Sequence, residues 1–257
     1  MLPQEALLTR VGELCRQDER LVAALTYGSF AQGTADEHSD IEFWLFFAAP
    51  PEPLAWLAEI GTLRHVVVNE FGAHVVFFPG LIRGEFHFAA AADIETVTSW
   101  PARSAPVDRM VVVDRTGALR RALESLPDQP ALPGDRAEVA GRFANWLVLA
   151  HHVAGRGEFL RAVDALSHVQ RHLLWMARLA EGHTEHWLTP SRRAEVELPA
   201  GLVAAISRAT ATADRDSLTA ALAAAWHCGR ALWLRLADFP PVDLFAELDR
   251  HYPPTGS

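Results

Sequence analysis

The sequence contains no lysine, so all 23 of its basic residues are arginine. A P-loop, which places a lysine against nucleotide phosphates, is therefore excluded. Any contact with a phosphate must come from arginine, backbone N–H groups, hydroxyl groups or metal ions. Only two cysteines are present, Cys15 and Cys228, and they lie far apart in the chain. Neither a disulfide framework nor a cysteine-based zinc site is indicated.

Long apolar runs and an excess of positive charge are missing too. No apolar run approaches the ~18 residues of a membrane-spanning helix, and no basic segment followed by an apolar stretch opens the sequence. We therefore expect a cytoplasmic protein without a membrane partner. The net charge of −9 and the pI of about 5.7 argue against a nucleic-acid partner, since proteins that grip that backbone are normally basic. A small anionic ligand remains compatible with this charge.

The pattern of apolar residues changes near residue 130 and divides the chain into two parts. Before that point, short apolar runs bounded by Gly and Pro predict strands, and segments of helical periodicity lie between them. The predicted strands cover 21–27, 40–47, 65–70, 73–78, 81–88 and 109–114, and the predicted helices cover 2–18, 54–60 and 116–126. The proline-rich segment 127–135 has the composition of a linker.

Beyond the linker, Ala, Leu and Arg recur at helical spacing with almost no strand-like runs. The predicted helices cover 136–154, 157–181, 200–213 and 216–237. The fold class is therefore predicted to be α+β: an N-terminal domain, residues 1–130, with a mixed β-sheet and flanking helices, followed by a helical bundle domain, residues 131–257.

Two carboxylates open the apolar strand "DIEFWLFF". Side chains alternate along a strand, so Asp40 and Glu42 share one face. In "LIRGEFHF" the same alternation puts Arg83, Glu85 and His87 on one face. If these strands are neighbours, three carboxylates converge, and divalent metal ions usually relieve such repulsion. Ligation by oxygen alone favours a hard cation such as Mg²⁺.

Magnesium is commonly held by one or two carboxylates together with substrate phosphates, which points to a nucleotide. Upstream, Gly28 and Ser29 follow a strand at a tight turn, where backbone N–H groups and the serine hydroxyl can approach an anion. Ser39, Arg83 and Asn145 are further candidates for nucleotide contacts. The alternative is an ordinary strand–turn–strand with solvent-facing acids, in which Arg83 only forms an ion pair.

These residues carry a resemblance to a known family. The Gly-Ser turn followed by Asp-x-Glu resembles the signature of the nucleotidyltransferase superfamily that shares its catalytic fold with DNA polymerase beta. Within it, "DERLVAALTYGSFAQG", "SDIEF", "NEFGAHVVFF", "LIRGEFHF" and "RGEFLRAVDALSHVQ" together resemble the lincosamide nucleotidyltransferases, enzymes of antibiotic resistance. The similarity extends from the first residues to beyond residue 190.

The resemblance implies an N-terminal nucleotidyltransferase domain that transfers AMP from ATP to a hydroxyl of lincomycin or clindamycin and releases pyrophosphate. Carried over by residue, Asp40 and Glu42 match the metal ligands of a site for two Mg²⁺ ions. Glu85 matches the third carboxylate, which is both a metal ligand and the base for the attacking hydroxyl. Gly28 and Ser29 match the turn that binds the triphosphate. The family also implies a homodimer.

The chain departs from the family pattern at one position. The family's turn often carries a basic residue where this chain has Gln32, so triphosphate contacts are expected from an arginine elsewhere.

Two alternative functions are considered. An aminoglycoside nucleotidyltransferase would also suit the acidic chain, because its substrate is polycationic, whereas the Trp-rich bundle favours the less polar lincosamide. A non-catalytic nucleotide-sensing or antitoxin-like module is the alternative from another class, and the presence of all three acids favours an enzyme.

Overall fold

The computed structural model describes residues 2–253. Its contacts divide the chain into two compact units, Met1–Pro130 and Ala131–Ser257. The first unit contains a six-stranded mixed sheet and the second contains helices, which confirms the predicted α+β class. Among the described residues, no helix is both long enough and apolar enough to cross a membrane.

The sheet of the first unit has the order β3-β4-β5-β2-β1-β6. All of its pairings are antiparallel except that of β2 with β5. The strands are β1 (Leu21–Thr26), β2 (Ile41–Phe47), β3 (His65–Val68), β4 (His74–Phe77), β5 (Arg83–Ala90) and β6 (Val111–Asp114). The helices of this unit are α1 (Pro3–Gln17), α2 (Gly28–Gln32), α3 (Pro53–Ala58), α4 (Val107–Met110) and α5 (Ala118–Glu124), with 3₁₀ segments at Pro79–Leu81 and Ala91–Ser99.

Hydrophobic cores cover both faces of the sheet, and strand β2 shows how the sequence divides between them. Ile41, Phe43 and Leu45 are buried in the core that includes α1 and α3. The alternate residues Glu42 and Trp44 lie on the other face and are only partly buried. The apolar residues of one face thus anchor the strand in the core, while Glu42 places a polar side chain at its start on the other face.

The second unit is helical and is built around a separate core. Its helices are α6 (Arg136–Gly155), α7 (Phe159–Glu181), α8 (Ala194–Glu197), α9 (Ala200–Ser207), α10 (Arg215–Leu236) and α11 (Val242–His251). Asp135 caps α6 by accepting a hydrogen bond from the Ala137 N–H, and Gly182 ends α7 at a positive φ of 77°. Trp226 is fully buried at the centre of this core.

Several boundaries differ from the sequence-based predictions. Residues 109–110 belong to α4 and not to a strand, because Pro106 begins a helical turn there. The predicted helix 200–213 ends at Ser207. Helix α11 was not predicted, although Leu244, Phe245 and Leu248 follow one another at helical spacing.

Candidate nucleotide and metal site

The two strands that carry the acids are neighbours, which is the condition under which the sequence analysis expects the acids to converge. Strands β2 and β5 run parallel, and Glu42 lies directly opposite Glu85 in their register. Asp40 immediately precedes β2. The pairing therefore brings carboxylates from two distant parts of the sequence to one end of two adjacent strands.

Gly28 allows the chain to pass close to Glu42. Its φ is +72°, and a Cβ on this residue would overlap the Glu42 Oε2 atom. The backbone N–H of Tyr27 donates to the Glu42 carbonyl at 3.3 Å. A glycine is required here both for its backbone conformation and for the space that the carboxylate fills. The Gly-Ser turn predicted from the sequence is the first turn of helix α2.

Arg83 bridges two of the acids. Its Nη1 atom lies 2.6 Å from Asp40 Oδ2, and its Nη2 atom lies 2.7 Å from Glu85 Oε2. The side chains of Arg83 and Asp40 are 34% and 37% exposed, while that of Glu85 is 19% exposed. The guanidinium thus links the acids at a position that solvent can reach.

The second oxygen of Glu85 has its own partners. The Tyr27 hydroxyl donates to Glu85 Oε1 at 3.3 Å, and His87 Nε2 lies 3.5 Å from the same oxygen. Burial, and then the charges of Glu85 and Glu42, raise the pKa of Tyr27 well above its ordinary value. Tyr27 consequently stays protonated and keeps donating to the carboxylate.

The chemistry of these donors fits a hard divalent cation, because every ligating atom that Asp40, Glu42 and Glu85 offer is a carboxylate oxygen. Within residues 2–253, however, no group of three or more His, Cys, Asp or Glu side chains is arranged to hold a metal ion. Two of the three acids are engaged by Arg83 instead. A metal would therefore be held after these side chains rearrange.

Ser39 belongs to the loop that leads into the site. Its hydroxyl donates to Asp36 Oδ1 at 3.0 Å and accepts from the Asp36 N–H at 2.9 Å. The Ser39 carbonyl, like that of Glu37, accepts a hydrogen bond from the amide of Gln4, which is almost completely buried. This anchor from α1 fixes the backbone just before Asp40.

Arg109 is a candidate that the sequence did not single out. It is exposed at the end of α4, and its Nη1 atom donates to the Gln32 carbonyl at 3.3 Å. A Cβ on Gly33 would collide with its guanidinium. Arg109 forms no ion pair with a carboxylate of the described residues. It therefore offers a cation at the end of α2, where a basic residue was missing from the turn.

Asn145 lies in the other unit, exposed on α6. With Val148, Leu149, His152 and Leu244 it lines an open groove of about 490 Å³, which Gly141 and Ala144 complete. Its role as a nucleotide contact stays a prediction. Sequence reasoning had no means of finding the groove, because Leu244 comes from helix α11, which was not predicted.

Comparison with known proteins bears on the helical unit. Residues 136–245 match the model of the family described as lincosamide nucleotidyltransferase-like, C-terminal domain. The helical unit is thus similar to the C-terminal domain of lincosamide nucleotidyltransferase-like proteins. This match confirms, for residues 136–245, the resemblance found in the sequence. No curated protein matches the chain significantly.

Solved structures show weaker similarities to this chain. An aminoglycoside 6-adenyltransferase from Bacillus subtilis is 11% identical, with a TM-score of 0.41 over 97% of this chain and 95% of that one. A nucleotidyltransferase-like protein from Exiguobacterium sibiricum 255-15 is 12% identical, with a TM-score of 0.37 over 97% of this chain and 80% of that one.

Proposed function

We propose that this protein transfers AMP from ATP to a hydroxyl group of a lincosamide antibiotic, releases pyrophosphate and so inactivates the drug. The observation that carries the proposal is the parallel register that sets Glu42 opposite Glu85, with Gly28 against Glu42. The family match of residues 136–245 supports a substrate of the lincosamide type. Residues 1–130 would form the catalytic domain, and residues 131–257 the helical bundle domain.

The acids and the turn have separate roles in this proposal. Asp40, Glu42 and Glu85 would hold the Mg²⁺ ions, which supply charge stabilisation at the phosphates when they are bound. Gly28 and Ser29 would receive the triphosphate through backbone N–H groups and the hydroxyl.

Glu85 would also act as the base. Its carboxylate accepts the proton of the drug hydroxyl as that oxygen forms a bond to the α-phosphorus, and the bond to the pyrophosphate oxygen breaks. Tyr27, whose hydroxyl donates to Oε1 of Glu85, helps to hold the carboxylate in position. Arg109 would meet the negative charge of the triphosphate in place of a basic residue in the turn.

The acceptor is the least constrained part of the proposal. The groove beside Asn145 presents Val148, Leu149 and Leu244, a lining that suits a drug of low polarity. The net charge of −9 suits a polycationic aminoglycoside instead. We retain the aminoglycoside as the second candidate substrate. A homodimer is also part of the proposal, and it rests only on the resemblance of the sequence to the family.

One acceptor screen tests the proposal. The protein is incubated with ATP and Mg²⁺ together with lincomycin, with kanamycin or with no acceptor. The molecular masses of the drugs are then measured by mass spectrometry. We expect lincomycin to gain the mass of one AMP unit. A product with kanamycin only would indicate that the substrate is an aminoglycoside and not a lincosamide. No product with either drug would favour a nucleotide-binding module without turnover.

A further inference from the structure

Arg83 lies between two acids of the site proposed for the metal. We propose that Arg83 is a resident cation: it holds Asp40 and Glu85 together before a divalent metal arrives, competes with that metal for both carboxylates, and contacts the nucleotide phosphates once it has been displaced. This inference rests on the proposed function, because it concerns the same site.

The geometry places one positive charge on two negative ones. One guanidinium nitrogen lies 2.6 Å from Asp40 and another lies 2.7 Å from Glu85, so a single planar group pairs with both. Neighbouring carboxylates repel each other when nothing cationic separates them. Arg83 relieves that repulsion with the chain's own charge, at the position where a metal would have to bind the same oxygens.

The arginine can leave without a large structural change. Its side chain is 34% exposed and contacts the acids through its end only. Long, flexible side chains at such positions exchange partners readily, and an ion pair of this exposure contributes little to stability. A metal bound to the same carboxylates would displace the guanidinium toward solvent, where the phosphates of a bound nucleotide would lie.

The acids, in contrast, keep their positions when Arg83 leaves. Glu85 is in the middle of a paired strand, and Tyr27 donates to its other oxygen. Asp40 follows the loop that Gln4 fixes through the Ser39 carbonyl. The acids would therefore stay near each other after their arginine partner has left, and only their side chains would have to rearrange to hold the metal.

Two opposite effects follow from one substitution. Removal of the guanidinium removes a competitor, so the free protein should bind a divalent cation more tightly. The same removal takes away a phosphate contact, so the metal–nucleotide complex should bind more weakly. A residue that merely supported the fold would weaken both kinds of binding together.

The test compares R83M with R20M. Methionine keeps much of the apolar stem of Arg83 and removes its charge. Arg20 belongs to the same unit, pairs with Asp18 at the surface and is 53% exposed. R20M therefore changes the net charge equally. Mn²⁺ affinity is measured by electron paramagnetic resonance without nucleotide. ATP affinity is measured by calorimetry with Mg²⁺ present.

We expect R83M to bind Mn²⁺ about 5-fold to 10-fold more tightly than the parent and ATP about 10-fold more weakly. R20M should stay within about 2-fold of the parent in both measurements. Equal or weaker Mn²⁺ binding by R83M would overturn the proposal, as would undetectable Mn²⁺ binding in every protein. If R83M fails to fold, R83Q repeats the test and must show the same tightening.

The readouts separate this inference from the proposed function. Tighter Mn²⁺ binding by R83M, without AMP transfer to any drug by the parent protein, would support the resident cation and refute the transferase. AMP transfer by the parent protein, with Mn²⁺ binding unchanged in R83M, would keep the transferase and refute the resident cation.

Discussion

Two arginines, one in each unit, show how the same side chain serves opposite purposes. Arg178 in α7 is completely buried, and its guanidinium donates to the backbone carbonyls of Pro190, His183 and Arg192. It also pairs with Glu197 at 3.0 Å. Because these donors meet fixed carbonyls, Arg178 ties the segment that follows α7 to the helical core.

Arg83 differs in both burial and partners. It is partly exposed, and among the described residues its guanidinium contacts the carboxylates of Asp40 and Glu85 and not the backbone. Side-chain partners can move with the ligand, whereas backbone carbonyls in a packed segment cannot. The number of hydrogen bonds therefore does not indicate the role of an arginine. Its role depends on whether its partners are side chains, which can move, or backbone carbonyls of a packed segment, which cannot.

The largest expected effect concerns the chemistry of the sheet unit. E85Q keeps the shape and hydrogen-bonding ability of the side chain and removes the base. AMP transfer should fall by about 10³-fold, since positioned bases contribute roughly 10²-fold to 10⁴-fold. ATP affinity, measured by calorimetry, should change by less than about 3-fold.

E95Q is the matched control, because Glu95 is an exposed acid of the same unit. Its transfer rate should equal that of the parent protein. Transfer by E85Q at the parent rate would remove Glu85 from the role of base and would leave Arg83 without a catalytic partner.

The next effect is on the stability of the helical unit. R178M should lower the free energy of unfolding by about 3 kcal/mol, because the carbonyl oxygens and Glu197 lose a buried charged partner. R83M should lower it by less than about 1 kcal/mol, as expected for a partly exposed pair. Urea denaturation followed by circular dichroism measures both variants, and equal losses would break the comparison between the two arginines.

The third effect separates backbone strain from crowding at the turn. G28A should lower the free energy of unfolding by about 2 kcal/mol and impair transfer, since it combines a positive φ with a collision against Glu42. Gly80 has a φ of +78° and open space around it, so G80A carries the strain alone. Thermal unfolding and the transfer assay should both show the smaller loss in G80A. Equal behaviour would mean that the contact with Glu42 is unimportant.

The smallest effect is a dependence on pH in the helical unit. Burial lowers the pKa of His172, whose ring lies 2.7 Å from the His168 carbonyl. Below the unfolded pKa of about 6.5 the unfolded chain binds the proton more readily than the native one. Stability should therefore be full above that pH and fall, by less than about 1 kcal/mol, as the pH drops toward the lower native pKa.

Urea midpoints between pH 7.5 and 5 measure this dependence. H172Q should flatten the decline, whereas H38N, at an exposed histidine of the sheet unit, should leave it unchanged. An increase of stability on acidification would reverse the sign and would refute the assignment to a buried neutral imidazole.

Much of the sheet could be predicted from the sequence because strand periodicity is local information. The alternation in "DIEFWLFF" identified the face of Glu42, and that in "LIRGEFHF" identified the face of Glu85, so their meeting required only that the strands be neighbours. The parallel pairing of β2 with β5 shows that they are. The resemblance to a family followed from short motifs along the chain, and the match of a family model to the helical unit agrees with it.

The rest depends on long-range packing that no local pattern encodes. Arg109 reaches the end of α2 across 77 positions of sequence. The donation of Tyr27 to Glu85 spans 58 positions, although the place of Tyr27 directly before Gly28 was a signal that could have drawn attention. The pairing of Arg83 with two acids likewise became visible only in the structure, because strand periodicity predicts the face on which a side chain lies and not its partner.

The parallel pairing of β2 with β5 has a consequence for how the protein reaches its native state. Asp40 and Arg83 lie 43 positions apart, and β5 can join β2 only after the intervening chain has been brought back to the sheet. Closing such a loop costs conformational entropy before any contact compensates for it. We therefore expect the acids to meet late in folding, so that the proposed metal site would form only when this pairing is complete.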